Sequence, residues 1–395
     1  MNLHPFENLN LFRISILEFL ISIVLKVIMQ NKPNLCVFWA VSDDCEEKQT
    51  QTNPIQTQNK PNFDLSATPQ SQNKPNSNPI KPNPCGPFLF FTCPCPGYNL
   101  SMQDWTIQKL LNWTVDYFTE KGLDCPRLSA ELLLSHVLET KRIELYTQFD
   151  QPVAKQQLDK LHDLVKRAGQ HEPIAYLIGK TEFYSMELFI TRDCLIPRPE
   201  TELLVERAIE FLRTRTPPQS VCDLCTGSGC IAAAIAKNVP QAAITATDIS
   251  DAALEIAARN IEKYGLSDRV KLLCGDLFDP VMPELDTGKL DLIVCNPPYV
   301  SSFEFERLDR NVKDYEPKKA LAGGVDGLDV YRRIVENADK FLKSGGAIML
   351  EIGYRQGQAV RELLEQTGYL TDITIEKDHH DNDRIATALR VPNRE

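Results

Sequence analysis

The chain has 395 residues, 43% of them hydrophobic and 25% charged, which excludes a small disulfide-held peptide and leaves room for two or three domains. The formal net charge of -11 belongs wholly to residues 102–395, because residues 1–101 hold seven basic and seven acidic side chains. An acidic body argues against tight non-specific binding to DNA or RNA, whose affinity rests on Lys and Arg at phosphates, so no direct nucleic-acid partner is expected.

Residues 1–101 read as a low-complexity extension. Phe12 to Met29 is apolar, but Arg13, Glu18 and Lys26 interrupt it, and a membrane span needs about 20 mostly uncharged residues. It also lacks the basic n-region of a signal peptide, so neither export nor membrane attachment is expected. Gln-Asn-Lys-Pro-Asn then recurs at 30–34, 58–62 and 72–76, with a variant at 80–83, and residues 1–101 hold 12 of the 26 prolines. Polar, proline-rich repeats bury too little apolar surface to offset chain entropy, which predicts disorder over roughly 30–97. Periodic patterning begins abruptly at Met102, which is read as the native start, the preceding residues being a start-site artefact.

Residues 102–172 are predicted to form a small helical bundle serving substrate recognition. Ile107, Leu110, Leu111, Thr114 and Phe118 line one helix face, ended by Gly122. Leu128, Leu132, Leu133, Val137 and Leu138 are expected to line a second, and Leu158, Leu161, Leu164, Val165 and Ala168 a third. His136 and His162 read as surface histidines. In a linker over 173–202, alternating Phe183, Met186, Leu188 and Ile190 predict a hairpin, followed by Ile196-Pro-Arg-Pro-Glu-Thr-Glu202. Its two prolines fix an extended approach to a helix, either as a rigid hinge or as a lid.

Residues 203–395 alternate short apolar strands with helical patterns, the signature of an α/β fold with a doubly wound parallel sheet. Seven strands are expected: 220–224, 243–247, 270–273, 290–295, 347–352, 371–376 and 385–391. Ligands in such sheets bind outside the strand carboxyl ends. The first strand ends in Asp223-Leu-Cys-Thr-Gly-Ser-Gly229, a turn opening into an Ala-rich helix, where a ligand can approach backbone N–H groups. The third glycine of a dinucleotide fingerprint is missing. The second strand ends at Asp248, an acceptor suited to ribose hydroxyls, and the third at Asp276-Leu277-Phe278, where an adenine could lodge. The fourth ends in Asn296-Pro297-Pro298-Tyr299. Two prolines remove two backbone donors, so nearby carbonyls can face a ligand beside an amide and a ring, a cradle for a planar amide or an amino-bearing base.

Of the twelve cysteines seven lie in 102–395, several in strand patterns, which suits a reduced, cytoplasmic chain. Cys222-x-x-Cys225 could be redox-active, but Cys222 reads as a core residue. Cys93-Pro-Cys95 has no second pair at zinc spacing, and Asp378 to Arg384 reads as a solvated hairpin, so no metal site is expected.

These residues together resemble the class I methyltransferases that use S-adenosyl-L-methionine. Ile196-Pro-Arg-Pro-Glu-Thr-Glu, Asp223-Leu-x-Thr-Gly-Ser-Gly, Asn296-Pro-Pro-Tyr, Tyr315-Glu-Pro and Ala320-Leu-x-Gly-Gly-x-Asp-Gly327, in this order, resemble the peptide chain release factor glutamine methyltransferases over residues 102–395. The resemblance implies a Rossmann-like seven-stranded sheet with a helical N-terminal domain. It implies methylation of the side-chain amide nitrogen of the glutamine in the Gly-Gly-Gln loop of class 1 release factors. Cys225, Thr226, Gly227, Ser228 and Gly229 would hold the methionine part of the cofactor, Asp248 the ribose, and Asp276 with Leu277 the adenine. Cys225 departs from the usual glycine. Asn296 and Pro297 would accept the two amide hydrogens and Tyr299 would pack on the amide plane, with Pro298 completing the substrate cradle and Asn296 also beside the cofactor. Arg198 and Glu200 to Glu202 would border the substrate loop. A monomer is expected. The rival readings are a DNA adenine-N6 methyltransferase, which would use the same turn on a flipped base, a broader protein glutamine methyltransferase, and a non-catalytic adenosine-binding module.

Overall fold

A computed structural model describes residues 105–281 and 289–391. The expectations for residues 1–101, including the repeats, the apolar segment and Cys93-Pro-Cys95, and for a start at Met102, lie outside the described residues. Among the described residues no helix is long and apolar enough to cross a membrane.

Helices α1 (Ile107–Glu120), α2 (Pro126–Leu138), α3 (Arg142–Thr147), α4 (Lys155–Ala168) and α5 (Ile174–Ile178) share one apolar cluster. The predicted face of α1 is the buried one, and Thr106 caps its start by accepting the Lys109 N–H. In α2 the face is phased differently from the expectation. Ala130, Leu133, Leu134 and Val137 are buried, whereas Leu128 is 40% exposed and Leu132 and Leu138 are half-buried. The apolar run Leu132–Leu134 fits two helical phases equally, and the one chosen brings Glu131 inward. There its carboxylate receives Arg127 at 2.9 Å, Arg142 at 2.8 Å and the Tyr146 hydroxyl, so the buried acid is fully paired and held below the ordinary range despite its burial. In α4 the predicted face is buried except Leu164, which is half-buried.

Strands β1 (Lys180–Phe183) and β2 (Met186–Phe189) form the predicted hairpin. Its two-residue turn places Tyr184 and Ser185 at φ 47° and 55°, the backbone of a type I′ turn without the usual Asn-Gly. Phe183, Met186 and Leu188 enter the same apolar cluster as the main sheet. The hairpin is pinned further by Asn260, whose Oδ1 accepts from Phe189 N at 2.7 Å while Nδ2 donates to Phe189 O at 3.0 Å and Ser228 O at 2.9 Å.

The main sheet is built by β3 (Gln219–Leu224), β4 (Ala242–Asp248), β5 (Val270–Cys274), β6 (Leu290–Cys295), β7 (Leu342–Glu351), β8 (Leu370–Lys377) and β9 (Asp383–Arg390), in the order β5-β4-β3-β6-β7-β9-β8. All seven expected strands are present. The expectation of a parallel sheet is corrected at one edge: β9 runs antiparallel to both β7 and β8. The turn from Asp378 to Asn382 is too short for a crossover, so the two last strands must form a hairpin. Asp378 holds that turn by accepting from His380 N, Asn382 N and Arg384, which lowers its carboxyl to about 2. The order reverses between β3 and β6, so the carboxyl ends of those two strands flank the switch point where such folds bind ligands. Helix α6 (Thr201–Arg213) and helix α7 (Cys230–Asn238) enter the cluster on one sheet face, while α8 (Asp251–Lys263) follows β4. Cys230 to Ala236 are all buried, which is why that helix is apolar all round.

Candidate active site

The turn after β3 is held by two acids. Asp223 is fully buried; its Oδ2 accepts from Thr226 Oγ1 at 2.6 Å and Ala232 N at 3.2 Å, while Oδ1 has no hydrogen-bond partner among the described residues. Burial pushes this carboxyl up to about 7, opposed by those two bonds. Asp248 accepts from Gly227 N through Oδ2 and from Ser250 N through Oδ1, both at 2.9 Å. Burial raises its carboxyl as well, and the Ser250 and Gly227 N–H groups pull it back. Three residues of the turn have left-handed backbone: Cys225 at φ 57°, Gly227 at 55° and Gly229 at 76°. Cys225 therefore holds a left-handed conformation that glycine adopts at least cost. A Cβ on Gly229 would lie 3.1 Å from the Ala257 Cβ, so this glycine also lets α8 come close.

The third strand end joins the second through Gly275 N, which donates to Asp248 O at 3.0 Å. Leu277 is buried, at φ 49°. The Asp276 carboxylate receives Arg333 at 2.7 Å, an ion pair to the helix α12 (Asp329–Phe341, after the short helices α9 Ser302–Phe305, α10 Arg310–Lys313 and α11 Lys318–Leu321) that no local pattern announces.

Asn296 to Tyr299 stand at the end of β6, directly beside the β3 turn, because Leu224 and Cys295 are register partners. Asn296 Nδ2 donates to Thr201 Oγ1 at 3.2 Å; Thr201 Oγ1 donates to Glu351 Oε2 at 2.6 Å; Tyr299 hydroxyl donates to Glu351 Oε1 at 3.4 Å. Among the described residues no hydrogen bond uses Asn296 Oδ1. Burial pushes the Glu351 carboxyl up to about 7, with the Thr201 hydroxyl and the Arg384 cation opposing, and burial also raises the Tyr299 phenol. Gln356 Nε2 donates to Tyr299 O at 3.0 Å and Gly327 O at 3.3 Å, which ties the turn to the glycine-rich segment after α11.

The separate sequence motifs are contact partners of this turn. A Cβ on Gly323 would lie 2.7 Å from Pro298 O and 2.8 Å from Tyr299 Cα, so the Gly-Gly-x-Asp-Gly segment lies flush under the Pro-Pro-Tyr backbone. Arg198 pairs with Glu316, a nearly buried acid, which joins Pro-Arg-Pro to Tyr-Glu-Pro. Thr201 of the same Pro-Arg-Pro-Glu-Thr segment reaches Asn296. The Cys222 thiol is buried in the core, as expected. Thr201 falls within the Glu200 to Glu202 span expected to border the substrate loop, whereas Glu351 and Gln356 were not anticipated as parts of the site, since their partners lie far away in the chain.

A seven-stranded sheet of this order, with a glycine-bearing turn after its first strand and an acid at the end of the next, defines a class I methyltransferase fold. Residues 109–179 match the PrmC N-terminal domain, and residues 200–309 match the methyltransferase small domain. A release factor glutamine methyltransferase of Rhodopirellula baltica is 42% identical over 290 residues, covering 73% of this chain and 97% of that protein. One of Geobacter sulfurreducens is 41% identical over 281 residues, covering 71% and 95%. The solved structure of a release factor-specific protein-(glutamine-N5) methyltransferase from Alicyclobacillus acidocaldarius is 30% identical, covering 51% of this chain and 99% of that one at a TM-score of 0.32. The chain belongs to the release factor glutamine methyltransferase family.

Proposed function

We propose that this protein transfers a methyl group from S-adenosyl-L-methionine to the side-chain amide nitrogen (N5) of the glutamine in the Gly-Gly-Gln motif of class 1 peptide chain release factors. The observation that carries the reading is the Asn296 amide at the switch point, tied by its nitrogen to Thr201 with its oxygen unused. An amide nitrogen is a poor nucleophile because its lone pair is delocalised. The help it needs is orientation, which acceptors for both of its hydrogens supply.

The residues present fit the cofactor. Three left-handed residues open the Cys225–Gly229 turn, Asp248 offers a carboxylate beside it, and the buried Asp223 Oδ1 and Thr247 Oγ1 have no hydrogen-bond partner among the described residues. Cys225 to Gly229 hold the methionine part, Asp248 the ribose, and Asp276 with Leu277 the adenine. Bound S-adenosyl-L-methionine supplies a methyl group on a sulfonium. The Asn296 Oδ1 and the Pro297 carbonyl accept the two hydrogens of the substrate amide, Pro298 keeps the turn rigid, and the Tyr299 ring packs on the amide plane. No protein group has to form a covalent bond or bind a metal.

The test is transfer of labelled methyl to purified release factor, to release factor with its Gly-Gly-Gln glutamine changed to Ala, and to DNA. Label in the first alone is expected; label in DNA and none in release factor refutes the reading. Asn296→Ala removes one acceptor and is expected to lower kcat by about 30- to 800-fold, the equivalent of about 2–4 kcal/mol, while cofactor binding persists.

A further inference from the structure

We propose that Thr201 and Glu351 are positioning residues whose hydrogen bonds decide which end of the Asn296 side chain faces the substrate. The inference rests on the function proposed above, because it concerns how Asn296 accepts an amide hydrogen.

The two ends of an asparagine amide have nearly the same shape, and only one accepts. Rotated by half a turn, Asn296 would set its own N–H groups against the N–H groups of the substrate and repel them. The Thr201 hydroxyl has a single hydrogen. That hydrogen goes to Glu351 Oε2 at 2.6 Å, so toward Asn296, 3.2 Å away, the hydroxyl can only accept. It therefore selects Nδ2 and leaves Oδ1 for the substrate. The direction of the whole chain is set at its far end, where an ionised Glu351 is an acceptor and nothing else.

The framework around this relay is rigid. Asn296 and Glu351 each follow directly on the last strand pairing between β6 and β7, Cys295 with Leu350, and Thr201 enters from the first turn of α6. Thr201 and Glu351 are both 1% exposed. Tyr331 hydroxyl donates to Glu351 O at 2.8 Å and Tyr299 hydroxyl to Oε1 at 3.4 Å, so neither the backbone nor the carboxylate is free to turn. The groups facing Glu351 are Arg384 from β9, Thr201 and Glu200 from the start of α6, Tyr299 from the turn after β6, and Tyr331 from α12. Arg384 favours the ionised carboxylate and Glu200 opposes it. With burial the balance brings the carboxyl up to about 7. A protonated Glu351 can donate to Thr201 and release its hydrogen toward Asn296, which reverses the relay. Loss of turnover as the pH falls through neutrality is the consequence.

Thr201→Val keeps the shape and removes the hydroxyl, and Thr201→Ser keeps the hydroxyl. Methylation of release factor by Thr201→Val is expected to show a kcat about 10- to 100-fold lower, with KM for release factor and cofactor affinity within about threefold, and Thr201→Ser is expected to restore most of the loss. Full activity in Thr201→Val, or equal impairment of Thr201→Ser, would falsify the relay, as would a joint loss of cofactor binding. Should Thr201→Val not fold, the pH profile of Glu351→Gln decides. The acidic limb of kcat near pH 7 is expected to vanish in that variant and to survive in Asp223→Asn; an unchanged limb in Glu351→Gln overturns the proposal. Wild-type protein that labels no release factor refutes the proposed function instead, so the two failures are distinct.

Discussion

Replacing Asp223 by Asn removes a proton-binding group from the end of β3 while keeping an acceptor for Thr226 Oγ1 and Ala232 N. The native carboxyl is raised from 3.8 to about 7, chiefly by burial. A raised native value means that the folded protein binds a proton that the unfolded chain has released. The stabilisation is therefore full below the unfolded value and is lost as the pH rises through 7. The shift of about three units corresponds to about 4 kcal/mol in total, of which about 2–3 kcal/mol falls between pH 5 and pH 8. Urea unfolding of wild type and Asp223→Asn at several values across that range isolates the term, because every other titrating group cancels in the difference. Wild type is expected to lose about 1.1 kcal/mol per unit relative to the variant between pH 5 and pH 7, then level off. A difference that stays flat from pH 5 to pH 8 refutes the reasoning, since it would mean that Asp223 is ionised in the folded protein throughout.

Two further outcomes test the turn geometry. Cys225→Gly relieves a left-handed side chain worth about 1 kcal/mol but loosens the unfolded chain by a similar amount, so stability by thermal melting should change little. Cofactor affinity by calorimetry should stay within about threefold, and a loss beyond about tenfold would show that the thiol itself makes the contact. Gly323→Ala puts a methyl group against Pro298 O and Tyr299 Cα, backbone atoms that cannot yield singly. It should lower stability by about 1–3 kcal/mol and kcat by more than about tenfold, and wild-type turnover in that variant would show that the turn tolerates displacement.

Most of the architecture was legible in the chain because it rests on periodicity. The seven strands and the faces of α1 and α4 follow from where apolar residues recur. The face of α2 was misphased because Leu132 to Leu134 satisfy either register, and only packing chooses. The start of β7 at Leu342 was hidden by Lys343-Ser-Gly-Gly346, which reads as a turn yet lies in the strand, with Gly345 at φ 71° and a register shift against β6. The acids and glycines at strand ends were visible as motifs. What holds them was not: the Asp276 to Arg333 pair and the Asn296, Thr201 and Glu351 relay join residues far apart in sequence. Side-chain hydrogen bonds of that kind leave no periodic trace. The motif set itself became intelligible only in space, where Arg198 meets Glu316 and Gly323 meets Pro298.

Asn260 gives the chain a natural seam. Its amide spends three hydrogen bonds joining β2 to the glycine-bearing turn, and the hairpin's apolar side chains belong to the sheet's cluster. A chimera spliced after Phe189 would inherit a hairpin shaped for another protein's helix and place two of the three bonds of a fully buried amide across the join. Spliced at Gly179, where the match to the PrmC N-terminal domain also ends, the same exchange keeps all three bonds within one parent. The hairpin then stays with the sheet, and the bonds that cross the join include those of Arg192 to Glu172, Tyr315 hydroxyl to Gln170 O and Tyr176 hydroxyl to Cys194 O.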